Sequence, residues 1–306
     1  MRPAFAALCA TLALCACSPK DSTPPPAAAP PAAAKAEPAE GTPRIAIAPD
    51  GVHVQYRVYG AAEPALVFVH GWSCDSNYWR EQVPAFKSKY TVVTVDLAGH
   101  GGTDGNRSDW TMGRFGQDVA TALAAVPNQK IILVGHSMGG PVTLEAARLL
   151  KDRVIGIIGI DTFRTIGSPP PPKARVDAII KPFEADFIGH TRELVTQHLF
   201  APGSHPELAN KIAYDMSLSP PRVAIPSLRA LFEYDFAEPL KDIHVPVVAI
   251  DSDLGGPINE VPIKKVLPGF KLVMVPGAGH FLMMEDPARF NTLLATEVEG
   301  IVAAGG

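Results

Sequence analysis

The segment Lys130-Ile131-Ile132-Leu133-Val134-Gly135-His136-Ser137-Met138-Gly139-Gly140 constrains this chain more than any other. Its first half is an apolar, β-branched run of the kind that forms a strand buried on both faces. The run enters Gly-x-Ser-x-Gly directly, and Pro141 to Leu150 follows with the composition of a helix. A strand that turns into a helix over so few residues needs small neighbours at the corner, because the turn holds Ser137 in a strained backbone conformation. The string alone is a weak signal. Set between an apolar strand and a helix, it displays a serine hydroxyl at a strand end, as an attacking serine requires.

The rest of the chain has the rhythm of an α/β fold. Arg44 to Ala48, the turn Pro49-Asp50-Gly51 and the alternating run Val52 to Tyr59 predict a β-hairpin. Short apolar runs then recur at Ala65–Val69, Tyr90–Val95, Lys130–Val134, Val154–Ile160, Val245–Ile250 and Lys271–Val275, most of them separated by segments long enough for helices. Such spacing predicts a mostly parallel sheet covered by helices on both faces. One interval is oversized. Between Ile160 and Val245 lie Pro169 to Pro172, the amphipathic stretch Phe183 to Phe200 and Pro220-Pro221, which together predict a mostly helical cap over about 163–242, inserted above the C-terminal edge of the sheet. The chain has 306 residues, 47% of them hydrophobic, enough for one large domain over 44–306.

A serine hydroxyl needs a base within hydrogen-bond reach, and the intrinsic pKa of histidine suits that work. Of nine histidines, His280 is the expected base. It follows the last apolar run across Pro276-Gly277-Ala278-Gly279, a loop able to carry the ring over the sheet edge. His136 is expected to point away from the turn, and His70 and His100 to be structural. The imidazole in turn needs a carboxylate to fix its tautomer and stabilise its protonated form. Asp253, on the loop beyond Val245–Ile250, is the expected acid. Asp161, after Val154–Ile160, and Asp251, at the strand terminus, are the alternatives.

The order Ser137, Asp253, His280 resembles that of the α/β-hydrolase superfamily, in its cap-bearing, single-domain form. The resemblance extends over nearly everything from Arg44 onward. Phe68-Val69-His70-Gly71-Trp72 is similar to the family's His-Gly oxyanion loop, and Asp96-Leu97-Ala98-Gly99-His100-Gly101-Gly102-Thr103 to its Asp-x-x-Gly-x-Gly-x-Ser/Thr loop. Gly279-His280-Phe281 followed by Glu285-Asp286-Pro287 also matches. The family's Gly-x-x-Asp-x-x-x-Pro is kept only in its Asp253-x-x-x-Pro257 half. The resemblance implies an oxyanion hole of two backbone amides, those of Trp72 and Met138. It further implies hydrolysis of a carboxylic ester or related acyl bond of a small-molecule substrate, through an acyl-enzyme on Ser137. Serine at the elbow argues against the branches that attack through a carboxylate, while thioesters, lactones, amides and carbon–carbon bonds stay open. Acyl transfer at the same site, or a catalytically silent ligand-binding lipoprotein of the envelope, are the competing readings. Trp72, Tyr78 and Trp79, with Phe183, Phe187, Phe200, Phe232 and Phe236 of the cap, are candidates to line an apolar pocket.

No cofactor or metal is expected. There is no Cys pair at ligand spacing and no His-x-x-x-His on a helix, and Gly99-His100-Gly101-Gly102 lacks the setting of a dinucleotide-binding turn. A net charge of −4 without a long basic run gives no footprint for nucleic acid. Cys74 is the one cysteine beyond the N-terminal segment and reads as a buried neutral thiol. Arg2 and the apolar run Ala4 to Leu14 have the form of a signal peptide over 1–16. Leu14-Cys15-Ala16-Cys17-Ser18 resembles the lipobox of bacterial lipoproteins, which implies acylation of Cys17 and attachment to a membrane of the cell envelope. Ser18, in place of an Asp, implies the outer membrane. The Pro- and Ala-rich residues 17–43 predict an extended linker.

Overall fold

The computed structural model describes residues 39–305. The expected signal peptide, Cys17 and most of the expected linker lie outside the described residues. Contacts with the sheet begin ahead of Arg44, at Glu40 and Gly41: Gly41 N donates to Val58 O at 2.9 Å and Gly60 N to Glu40 Oε1 at 3.3 Å.

The hairpin forms as expected from β1 (Arg44–Ile47) and β2 (His53–Tyr59), with Arg44 opposite Tyr56. Strands and helices then alternate: β3 (Ala65–Val69), α1 (Gln82–Phe86), β4 (Thr91–Val95), α2 (Met112–Ala124), β5 (Ile131–His136), α3 (Gly139–Leu150) and β6 (Val154–Ile160). Five helices follow before the sheet resumes: α4 (Lys173–Ala185), α5 (Phe187–His198), α6 (Pro206–Ser217), α7 (Pro221–Phe232) and α8 (Ala237–Leu240). The chain continues through β7 (Val247–Ser252), α9 (Glu260–Val266), β8 (Lys271–Val275), α10 (Leu282–Glu285) and α11 (Pro287–Gly305).

The strands make one eight-stranded sheet in the order β1-β2-β4-β3-β5-β6-β7-β8, in which β3 to β8 run parallel and the hairpin is antiparallel. Every residue of β3, β4 and β5 is buried. Successive strand residues point to opposite faces, so both faces of the sheet centre are covered, which is why these strands read as continuous apolar runs. All the parallel strands end at the same edge. Ligand sites in open parallel sheets form outside the carboxyl ends of the strands, and the loops after β3, β5, β6, β7 and β8 converge there.

Two local features bear on that edge. The amphipathic stretch Phe183 to Phe200 is divided between α4 and α5 at Asp186, whose carboxylate accepts from Gly189 N at 2.9 Å and caps α5. Strand β7 runs past the expected Ile250 to Ser252 and sets Asp251 and Ser252 opposite Met274 and Val275 of β8.

Candidate active site

Ser137 occupies the corner between β5 and α3 with φ = +51°, the left-handed region that a non-glycine residue enters only where the surroundings hold it. The corner is tied on both sides, by Ser137 N donating to Ile160 O at 3.0 Å and Gly140 N donating to Ser137 O at 2.9 Å. A Cβ at Gly139 would collide with the carbonyl oxygens of Val69 and His70, so the turn can lie against the end of β3 only with glycine there. The loop after β3 comes just as close: a Cβ on Gly71 would stand 3.2 Å from Ser137 Cβ. Ser137 itself is half-buried and sits at the N-terminus of α3, where the helix dipole favours negative charge.

His280 Nδ1 bonds Asp161 Oδ2 at 2.5 Å, with both side chains largely buried. Asp161 follows β6 with φ = +45°, and its second oxygen accepts from Ser252 N at 2.9 Å and Ser252 Oγ at 2.8 Å. Burial alone would raise its pKa, but the bonds from His280 and Ser252 outweigh it and hold the carboxyl below its ordinary value. The imidazole of His280 lies beside the elbow: its ring centroid is 4.6 Å from that of His136, and His136 Nε2 donates to His280 O at 2.9 Å. Burial, and then the proximity of His280, lower the His136 pKa to about 3, so that ring is a neutral donor.

The expected acid, Asp253, does not meet His280. It is exposed beyond the end of β7, and its Oδ1 accepts from Gly277 N at 2.9 Å. β7 ends two residues later than expected, which carries Asp251 and Ser252 into the sheet and leaves Asp253 as the first residue of the loop. Asp251 does not meet His280 either. It is fully buried behind Asp161, with Oδ1 accepting from Thr162 N at 3.2 Å and Oδ2 3.8 Å from Arg164 Nε. Burial, and then the charge of Asp161, push its carboxyl up to about 8.

The loop that carries Trp72 is supported by two buried histidines. Leu97 N donates to His70 Nε2 at 3.0 Å and Ser73 N to His100 Nε2 at 3.3 Å, leaving the Nδ1 protons to bond Gly71 O and Ala98 O. Burial lowers both pKa values, that of His100 to about 3. Trp72 turns its side chain into the cap, where Nε1 donates to Ala224 O of α7 at 2.7 Å and the ring meets Phe183 and Phe187 edge-on. Of the other pocket candidates, Phe200 stacks on Phe281 beside His280 and Tyr78 packs on the same ring. Trp79 is fully buried against Phe68, and Phe236 packs on Phe163 and Tyr234. Cys74 is buried with its thiol pKa raised by burial, and Sγ donates to Trp72 O at 3.3 Å.

Ser252 and Arg164, which donates to Ser252 O and Gly256 O, are site residues that sequence reasoning missed, and nothing local marks them. Glu285 carried a signal, since it belongs to the motif that follows His280. Its carboxylate accepts from Gly279 N at 2.8 Å and Phe281 N at 3.0 Å.

A serine elbow, a histidine and a carboxylate at the carboxyl edge of a parallel sheet, under a helical cap, define a hydrolase-type fold and site. The chain belongs to the alpha/beta hydrolase family, whose model matches residues 66–293. It is similar to 3-oxoadipate enol-lactonase 1 of Acinetobacter baylyi, 28% identical over 78% of this chain and 90% of that protein. A pimeloyl-[acyl-carrier protein] methyl ester esterase of Legionella pneumophila is also 28% identical, over 77% of this chain and 95% of its own length. Among solved structures, a thermophilic esterase from Thermogutta terrifontis superposes with a TM-score of 0.74 at 23% identity, covering 85% of this chain and 98% of that one.

Proposed function

We propose that this chain hydrolyses esters or lactones of small molecules through an acyl-enzyme on Ser137. The observation that carries the reading is the bond from His280 Nδ1 to Asp161, made beside the turn that holds Ser137. With Nδ1 committed to Asp161, Nε2 is the nitrogen left to take the serine proton. Ser137 Oγ attacks the acyl carbon, its proton passes to His280 Nε2, and ionised Asp161 stabilises the imidazolium. The oxyanion is received by the N–H groups of Met138 and Trp72 at the N-terminus of α3. The leaving alcohol takes the proton from His280, and water, deprotonated by the same nitrogen, then releases the acid and restores Ser137. The enol-lactonase and methyl ester esterase named above support ester and lactone carbonyls as the substrate class.

Intact mass after exposure to a fluorophosphonate tests this. One adduct per chain is expected on the parent and none on Ser137→Ala. A folded parent that takes no adduct overturns the reading.

The proposal extends to the N-terminus, with 1–16 as signal peptide, the Pro- and Ala-rich stretch between Cys17 and Glu40 as tether and Cys17 as the acylated residue, and rests there on the sequence alone. Metabolic labelling with a palmitate analogue should tag the parent and leave Cys17→Ser untagged. An untagged parent removes the lipid anchor without touching the hydrolase reading.

A further inference from the structure

The amides of Gly279, His280 and Phe281 and the carbonyl of His280 are each held by a hydrogen bond. Gly279 N and Phe281 N, the amides on either side, both donate to the carboxylate of Glu285. His280 N donates to Leu199 O in the cap at 2.8 Å, and His280 O accepts from His136 Nε2. A Cβ on Gly279 would stand 2.7 Å from Glu285 Oε1 and 2.8 Å from Leu199 O, so both partners press on this residue and only glycine admits them. Of these supports, Glu285 alone is a side chain that grips two amides at once and can change its charge.

We infer that Glu285 is the positioning residue for the base, its ionised carboxylate clamping the two amides that flank His280 so that the ring stays between Asp161 and Ser137. The inference rests on the proposed role of His280. Two N–H groups converge on two carboxylate oxygens, which a neutral acid cannot match because its hydroxyl oxygen is a poor acceptor. The titratable and charged groups around Glu285 are His280 on its own loop, His205 ahead of α6, Asp286 at the end of α10 and Arg289 in the first turn of α11. All but His280 line, with Glu285, a small cavity of about 220 Å³ behind the loop. Burial raises the Glu285 pKa above its ordinary value, against the lowering pull of the two amides and of His205 and His280. The clamp is therefore intact above that raised pKa and is lost as pH falls through it, on the acid side of the activity profile.

The test is the pH dependence of kcat and KM for a neutral chromogenic ester, with the full chain and its Glu285→Gln and Glu285→Asp variants. In Glu285→Gln, one acceptor becomes an amide that faces an N–H group, and kcat should fall about 10-fold with KM little changed, as expected when a reacting group is misplaced. The acid limb should also become shallower, by the one proton that Glu285 contributes in the parent. Glu285→Asp, whose shorter arm reaches one amide, should fall between the two and keep the steeper limb, and it carries the test if Glu285→Gln does not fold. Variants that are folded and match the parent in kcat and in the acid limb overturn the clamp while leaving the Ser137–His280 reading in place. A parent that neither hydrolyses the ester nor takes a fluorophosphonate overturns both.

Discussion

Replacing Asp161 with Asn should lower kcat about 10³- to 10⁴-fold with little change in KM, and replacing Asp253 with Asn should leave both within about threefold. The asymmetry follows from what each carboxylate touches. Asp161 accepts the Nδ1 proton of His280 and is held for that task by both donors of Ser252. An amide in its place offers a donor to the same nitrogen, favours the wrong tautomer and leaves the imidazolium without a counter-charge. Asp253 only accepts an N–H from Gly277, and Asn keeps an oxygen for that bond. Steady-state kinetics on the two variants decide the matter. A larger loss in Asp253→Asn would mean that the acid is the one after β7, and the assignment of Asp161 would fall.

Asp251→Asn should stabilise the protein, by a margin that grows with pH. Burial and the charge of Asp161 raise the folded-state pKa of Asp251 to about 8, far above the value near 4 of an exposed carboxyl. A carboxyl whose folded pKa is raised contributes fully to stability below its unfolded pKa. That contribution is lost as pH climbs between the two values, at up to about 1.4 kcal/mol per unit, and is gone above the folded value. Asn keeps the acceptor for Thr162 N and has no proton to lose. Urea titrations at pH 5, 7 and 9 should show the variant gaining on the parent by a few kcal/mol over that range, most of it below pH 8. Parallel curves for the two proteins would show that Asp251 is ionised in the fold at all these values, paired with Arg164.

Most of the frame was legible because parallel strands buried on both faces leave uninterrupted β-branched runs, and the turn at Ser137 admits few residue types. The placement of His280 beside the elbow was legible for a related reason: it is the histidine carried by a small-residue loop after the last strand. Which aspartate meets its ring was not. Three aspartates stand at the ends of two neighbouring strands, and what separates them is where β7 stops and which way each carboxylate turns. Sequence periodicity ends β7 at Ile250, yet pairing with Met274 and Val275 of β8 carries it to Ser252. That extension buries Asp251, points the donors of Ser252 at Asp161 and leaves Asp253 outside. The left-handed backbone at Asp161 that completes the arrangement has no mark in the sequence, since aspartate is not a residue that demands it. The break between α4 and α5 was hidden likewise, because one capping carboxylate at Asp186 interrupts an otherwise continuous amphipathic pattern.

The cap touches the site at both of its working ends, through Ala224 O on the indole of Trp72 and through Leu199 O on the amide of His280. A cap that lifts as one body gives up both bonds together, loosening the support of the oxyanion loop and of the base in the same movement. The two loops on which the proposed chemistry depends therefore share one buttress, and a change in how the cap packs reaches both at once.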